Sequence, residues 1–151
     1  MTPFASPAMA RALAEAEQAA ARGEVPVGAA VCDGSGAIVA AAGNRTVELA
    51  DPTAHAEVLA IRAACRRLGS QRLDGHDLHV TLEPCAMCAA AISFARIRRL
   101  YYGAGDDKMG AVDHGPRLFA QPTCHHRPEV YGGIAESRAR DLLVGFFKAR
   151  R

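Results

Sequence analysis

The sequence predicts an α/β protein in which helices cover both faces of a central sheet. After an opening hairpin, short apolar segments with strand character alternate with longer segments whose apolar residues recur at helical spacing. The chain has 151 residues, half of them hydrophobic, which is enough to bury a core without disulfides or a structural metal. We therefore expect a single domain spanning residues 1–151.

The first half of the chain supplies a helix, a hairpin and a second helix. Apolar spacing predicts the first helix over about residues 6–22. Strands are expected at 27–32 and 38–42, because the sequence Asp-Gly-Ser-Gly between them is typical of a turn. The second helix is predicted over 53–68, with apolar residues along one side and arginines elsewhere.

The second half continues the alternation of strands and helices. The expected strands and helices are, in order, 78–82, 85–96, 99–103, 129–134 and 136–149. Between the third and fourth of these, residues 104–128 contain Gly, Pro and His and predict a long loop. A loop of that length in a compact domain is often functional.

Composition limits the classes of function. The formal net charge is only +2, but sixteen of the eighteen basic residues are Arg, the side chain better suited to bidentate phosphate contacts. The arginines form clusters at 62/66/67, 96/98/99, 138/140 and 150/151. Each cluster fits either a phosphate-binding surface or an ordinary solvated one.

Targeting and redox signals indicate the cytoplasm. No stretch approaches the ~20 apolar residues of a membrane span, and the N-terminal residues lack the pattern of a signal peptide. Five cysteines, an odd number without the spacing of a disulfide framework, predict reduced thiols.

The stretch TLEPCAMC at residues 81–88 places two thiols together. Cys85 and Cys88 lie three positions apart at the expected start of a helix, with Pro84 suited to the first helical position. There the helix dipole favours thiolate over thiol. The spacing indicates a soft metal, although two core cysteines would give the same pattern.

A third ligand is available thirty residues upstream, in His55-Ala56-Glu57. The combined pattern H-x-E…P-C-x-x-C is the signature of zinc deaminases. Three protein ligands leave the fourth zinc position open, as in catalytic sites. Zinc would then activate water, and Glu57 would move protons between water, ring nitrogen and leaving amine.

Geometry restricts where such a metal lies. Residues two apart do not share a helix face, so His55 and Glu57 both reach a metal only near the N-terminus of their helix. Asp51 or Thr53 would cap that helix. The sequence therefore predicts two helix N-termini that converge on one Zn²⁺.

Longer motifs resemble a known family. They are EVPVGA at 24–29, DPTAHAE at 51–57, VTLEPCAMCAAA at 80–91, RIRRLYYGA at 96–104, the D-x-K-x-G-A stretch from Asp106, and the terminal GFFKARR. The chain resembles the cytidine deaminase-like superfamily and, more narrowly, its bacterial tRNA-specific adenosine deaminases. This resemblance implies a three-layer α/β/α sandwich around a mixed five-stranded sheet, and a homodimer. It also implies conversion of adenosine to inosine at the wobble position of a tRNA anticodon, normally that of tRNA-Arg.

The resemblance also implies roles for single residues. His55, Cys85 and Cys88 match the zinc ligands, and Glu57 matches the proton shuttle. The substrate-binding positions are Asn44 as a hydrogen-bonding partner of the nucleoside, Val27 as an apolar wall, the backbone N–H of Ala56 at the base edge, Asp106 near the flanking nucleotide, and Phe147 near the anticodon loop.

Other interpretations stay open at this stage. A deaminase of free guanine, cytosine or a small nucleoside would keep every zinc residue, although the D-x-K-x-G-A loop and basic C-terminus argue against it. A structural-zinc RNA-binding module would have no need of Glu57. Cys124-His125-His126 fits a second metal, although a solvated or RNA-facing loop is favoured. Asn44 also suits a turn, and Phe147 a core position.

Overall fold

A computed structural model describes residues 6–150, and its elements follow the predicted order. They are α1 (Pro7–Ala21), β1 (Gly28–Cys32), β2 (Ile38–Gly43), α2 (Ala56–Leu68), β3 (Asp77–Leu82), α3 (Ala86–Ala95), β4 (Arg99–Ala104), β5 (Glu129–Tyr131) and α4 (Glu136–Ala149).

The strands form one mixed five-stranded sheet in the order β2-β1-β3-β4-β5. Strand β1 pairs antiparallel with both β2 and β3, so the predicted hairpin is present. Strands β3, β4 and β5 run parallel to one another. Parallel neighbours require crossover connections, which α3 and the long 105–128 segment provide.

Helices cover both faces of this sheet and complete the α/β/α sandwich. Helices α2 and α3 pack on the face that presents Val31, Val80 and Leu100. Helices α1 and α4 cover the other face, where Ala30 lies in the core. Alternate residues of β1 point to opposite faces, so both cores share this strand.

Helix α1 lies unusually close to β1 because of a glycine. A Cβ added to Gly28 would lie 1.9 Å from the carbonyl oxygen of Ala12. Any larger residue would push the helix away from the sheet.

The start of α2 differs from the prediction. The helix begins at Ala56, and neither Asp51 nor Thr53 caps it. The Asp51 carboxylate instead accepts the backbone N–H and the hydroxyl of Thr53, at 2.8 and 2.7 Å. These bonds form a separate turn before the helix, which is the competing use of an Asp side chain.

Two further boundaries were wrong by a few residues. Helix α3 begins at Ala86 with Cys85 as its N-cap, so Pro84 precedes the cap and does not occupy the predicted first helical position. Strand β5 ends at Tyr131 rather than at residue 134, since Gly133 has φ +80° and turns the chain out of the sheet.

The 105–128 segment is mostly loop and turn, as predicted. It contains a short 3₁₀ helix over Leu118–Ala120. In residues 6–150, no helix is both long and apolar enough to cross a membrane.

Candidate active site

The N-termini of α2 and α3 lie close together, and the residue before each helix has a side chain of a type that binds metals. His55 is the N-cap of α2 and Cys85 is the N-cap of α3. Neither side chain bonds to the backbone of its own helix, so both remain available for another partner. The helix ends carry partial positive charge and favour anionic groups there. The predicted convergence of two helix N-termini is therefore present.

The distances within this cluster fit a tetrahedral zinc ion. Nδ1 of His55 lies 3.6 Å from Sγ of Cys85 and 3.5 Å from Sγ of Cys88. Tetrahedral bonds of about 2.3 Å to sulfur and 2.0–2.1 Å to nitrogen require nitrogen and sulfur ligands about 3.6 Å apart. All three ligand atoms lie within 4.8 Å of one another. The donor set is the one that zinc prefers, so these residues fit the ion.

The two thiols differ in how readily they lose a proton, because their pKa values shift in opposite directions. A hydrogen bond from Cys88 lowers the pKa of Cys85 to about 4, although burial opposes this shift. The same hydrogen bond, together with burial, raises the pKa of Cys88. The hydrogen bond with Cys85 raises the pKa of His55. The site thus holds one thiolate readily, and a metal displaces the proton of the other.

Glu57 is a buried carboxyl group beside this cluster. It occupies the second position of α2 and is only 4% exposed. Burial raises the pKa of Glu57 to about 7. No structural metal site requires such a group, so its position next to three metal-binding side chains indicates chemistry rather than support.

A cavity of about 330 Å³ opens onto these residues. Its lining combines the ends of three elements with two loops: Val25, Val27, Asn44, Thr46, His55, Glu57, Leu82, Glu83, Cys85, Asp106 and Met109. Seven of these eleven side chains are polar or ionisable, and Val25, Val27, Leu82 and Met109 supply the apolar part of the wall. The volume lies at the lower end of the range for small-molecule sites, about 300–1,000 Å³.

Comparison with known proteins identifies the family. A profile described as the cytidine and deoxycytidylate deaminase zinc-binding region matches residues 4–104. The chain belongs to this family. Zinc is accordingly its metal, and His55, Cys85 and Cys88 form a cluster that could hold it.

Three relatives show how this deaminase is placed within the family. The tRNA-specific adenosine deaminase of Agrobacterium fabrum is 61% identical over 144 residues, which cover 95% of this chain and 93% of that one. A solved structure from a study of A-to-I editing by tRNA:A34 deaminases at the wobble position is 61% identical. It superposes with a TM-score of 0.88 over 90% of this chain and 98% of the other. Guanine deaminase from Nitrosomonas europaea is 26% identical, with a TM-score of 0.74 over 92% and 82% of the two chains.

Three of the five expected substrate-binding residues of this deaminase line the cavity. Val27 and Asn44 are both buried to 8% exposure, and the N–H of Asn44 donates to the carbonyl of Val27 at 3.1 Å. Asp106 also lines the cavity. Its carboxylate accepts the N–H groups of Lys108 and Met109 at 3.0 Å each, so it also forms the turn in which it lies.

The side chains of the other two expected residues do not line the cavity. Ala56 lies between His55 and Glu57, and the role expected of its backbone N–H stays a prediction. Ala56 is the first residue of α2, and its methyl group packs in the core. Phe147 lies on α4 and is 48% exposed, with Leu143 and Val144 beside it rather than the zinc ligands. The structure thus does not bring Phe147 into the cavity, and its contact with RNA stays a prediction.

Sequence reasoning missed several residues of the cavity wall. Val25 and Leu82 are ordinary apolar wall residues, whereas Thr46 and Met109 lie on loops. Glu83 is the notable omission, because it is fully buried yet acidic. The available signal was an acidic residue between a buried strand and P-C-x-x-C, where a core position would be apolar.

Cys124, His125 and His126 do not cluster as metal ligands. His125 is bonded to Arg96 at 2.7 Å, and His126 Nε2 lies 2.9 Å from the carbonyl of Ile97. Cys124 contacts Ser93 instead. Within residues 6–150, the His55 cluster alone brings three possible ligand atoms together. The five cysteines, all in this range, are free thiols.

Proposed function

We propose that this chain is a single zinc-dependent deaminase domain that converts adenosine to inosine at the wobble position of a tRNA anticodon. The observation that carries this proposal is a buried carboxyl group, Glu57, beside a His/Cys/Cys cluster at the base of an open cavity. The high identity to a tRNA-specific adenosine deaminase along nearly the whole chain supports the choice of substrate.

The proposed chemistry divides between the metal and one carboxylate. His55, Cys85 and Cys88 would hold zinc, and zinc supplies Lewis acidity that makes water nucleophilic near neutral pH. Glu57 accepts a proton from the attacking water and returns protons to the ring nitrogen and the departing amine. The C6–N bond breaks, the water oxygen becomes the carbonyl of inosine, and ammonia leaves.

The cavity wall would hold the base. Val27 provides an apolar surface against one side of the purine, and Asn44 provides hydrogen bonds to the nucleoside. The N–H of Ala56, at the free N-terminus of α2, is available to the base edge. A base in a duplex could not reach this depth, so the substrate is a nucleotide extruded from a loop.

The rest of the anticodon loop would lie outside the cavity. We assign Asp106 to the flanking nucleotide and Phe147 to the loop beyond it. The arginine clusters would add phosphate contacts and a salt-dependent contribution to affinity. Arg150 lies 3.6 Å from the ring centroid of Phe146, which stabilises the end of α4. Arg151, the last residue of that cluster, lies outside the described residues.

A homodimer is also part of the proposal, with the exposed face of α3 at its interface. Phe94 is 68% exposed and borders a groove of about 400 Å³ that includes Ala90 and Leu118. An exposed aromatic ring beside a groove of mixed polarity on the same face allows each copy to insert its ring into the groove of the other. Phe94→Asp should shift the protein to monomer in sedimentation, whereas Phe147→Asp should not.

The cellular compartment follows from the substrate rather than from the fold. A tRNA-modifying enzyme with five free thiols is expected in the reducing cytoplasm, where thiols persist.

The test is inosine formation in a tRNA-Arg transcript, with ammonia release from free adenosine, guanine and cytosine measured in parallel. We expect inosine at the wobble position and no release from the free bases or the nucleoside. The Glu57→Ala variant should stay folded and bind zinc, yet lose about 10²–10⁴-fold in rate. Turnover of guanine with an untouched tRNA would instead identify a free-base deaminase. Normal turnover by the variant would rule out the role of Glu57.

A further inference from the structure

We propose that two buried carboxylates, Glu24 and Glu83, are positioning residues that hold the two loops lining the cavity. One loop follows β2 and carries Asn44 and Thr46, and the other follows β4 and carries Asp106 and Met109. The proposal rests on the proposed function only in taking this cavity as the nucleoside site. Neither carboxylate contacts the metal-binding atoms.

Glu83 accepts five hydrogen bonds from one segment of chain. Its Oε1 accepts the N–H of Asp106 at 3.0 Å and lies 2.6 Å from Nδ1 of His114. Its Oε2 accepts the N–H groups of Val112, Asp113 and His114 at 3.1, 2.9 and 3.1 Å. A single side chain thus replaces the strand or helix bonds that this segment lacks.

The ionised state of Glu83 is the one that this arrangement favours. Four backbone N–H groups and the ring of His114 surround its two oxygens. An ionised carboxylate has only acceptors, which matches a ring of donors. The loop thus supplies the donors that the Glu83 carboxylate needs, and the carboxylate supplies the acceptors that the loop N–H groups need.

A glycine lets the loop approach the Glu83 carboxylate closely. A Cβ added to Gly110 would lie 2.6 Å from the Glu83 carboxyl group and 2.3 Å from the carbonyl oxygen of Asp106. The loop backbone therefore lies directly against the carboxylate. The N–H of Ala111 also donates to the carbonyl of Pro84 at 2.9 Å, next to the zinc-binding Cys85.

Glu24 holds the other loop in the same way. It is 2% exposed, and its two oxygens accept the N–H groups of Val47 at 3.2 Å and Glu48 at 2.8 Å. Val47 itself is 76% exposed, so its burial does not hold the loop in place. The backbone bonds to Glu24 do so instead.

These two residues therefore act on substrate recognition rather than on proton transfer. The chemistry lies at the helix N-termini, whereas the hydrogen bonds of Glu24 and Glu83 go to the loops. The loops carry the side chains that would meet the base and its neighbour. Loosening a loop should weaken binding of the RNA more than it slows the chemical step.

The experiment compares Glu83→Gln and Glu24→Gln with wild type, using a tRNA-Arg transcript as substrate. The matched control is Glu15→Gln, which removes a carboxylate on α1 that accepts a hydrogen bond from Arg11, a residue outside the four arginine clusters. Each Gln keeps the shape of Glu but turns one acceptor into a donor that faces N–H groups. We expect full zinc content, a KM raised about tenfold or more, and kcat within about threefold of wild type. The control should match wild type in both constants.

A second variant and a second measurement keep the test decisive if Glu83→Gln folds poorly. His114→Ala removes one of the five bonds from a side chain that is 43% exposed, so it should fold and raise KM by a smaller factor. Hydrogen exchange needs no activity, and the amides of 106–114 should exchange faster in both variants.

The outcomes separate the two proposals. A wild type inactive on tRNA would discard the proposed function, while faster exchange at 106–114 would still support the anchoring role. An unchanged KM and unchanged exchange would overturn that role. Loss of kcat alone, or of zinc, would overturn it as well.

Discussion

The metal centre and the loop beside it are built in different ways. His55, Cys85 and Cys88 belong to two short motifs and begin two helices. The loop after β4 has little regular structure and depends on Glu83, which lies 23 to 31 residues away from the groups that it binds. Local sequence thus specifies the chemistry, whereas long-range side chain–backbone bonds specify the shape of the cavity.

Removing a metal ligand should have the largest effect, because it acts on the metal centre itself. Cys88→Ala deletes a buried ligand at the third position of α3, and two ligands bind zinc far more weakly than three. We expect zinc content to fall from about one ion per chain to near none, with inosine formation below detection. Metal analysis alongside the activity assay measures both. A fully loaded and active variant would show that the cluster is not the zinc site.

A substitution in the loop after β4 should affect substrate use but leave the metal centre intact. Gly110→Ala places a methyl group against the Glu83 carboxyl and the Asp106 carbonyl, so the loop must shift. We expect kcat/KM for tRNA to fall about tenfold or more while zinc content stays normal.

The matched control for this glycine is Gly145→Ala. Gly145 is in α4, and an added Cβ there meets nothing within 4 Å. This change should raise the free energy of unfolding by about 0.5–1 kcal/mol through helix propensity. Thermal unfolding measures the effect. An unimpaired Gly110→Ala enzyme would mean that the loop position has no bearing on the substrate.

An effect on stability alone, and only at low pH, is expected on the far face of the sheet, which belongs to neither region. His79 is 7% exposed and stacks on Tyr101 with ring centroids 4.5 Å apart. Its Nδ1 is buried without a hydrogen-bond partner, and burial lowers the pKa of His79 to about 4 although Asp77 opposes the shift. The unfolded imidazole titrates near its ordinary pKa, so the unfolded chain binds more protons between the two values.

Stability should therefore fall as pH falls from about 6.5 to 4, by on the order of 2–3 kcal/mol from His79 alone. His79→Phe keeps a stacked ring and removes the titration. The difference in unfolding free energy between pH 7 and 4.5, measured by urea, should be smaller in the variant than in wild type at equal zinc content. Identical pH profiles would contradict the assigned pKa.

The sequence predicts the metal centre better than it predicts the loop beside it. Helical and strand periodicity gave all nine main elements in order, and the resemblance supplied the five-stranded mixed sheet. Spacing gave the metal cluster, because His55 and Cys85 each adjoin a predictable helix start. The cap of α2 was wrong because Asp51 has a local partner in Thr53. Glu83 was missed because its donors lie far along the chain, where no periodicity records them.

The absence of side-chain caps on α2 and α3 has a consequence for folding. Helix α1 is closed by Ser6, whose hydroxyl accepts the N–H of Met9 at 3.2 Å. In α2 and α3 the capping residue is one of the side chains that could hold the ion, so one ion would link the first turns of the two helices. Withdrawal of zinc by a chelator should therefore fray both helices from their first turns and open the floor of the cavity. Metal supply would then govern the folded shape of the active site as well as its reactivity.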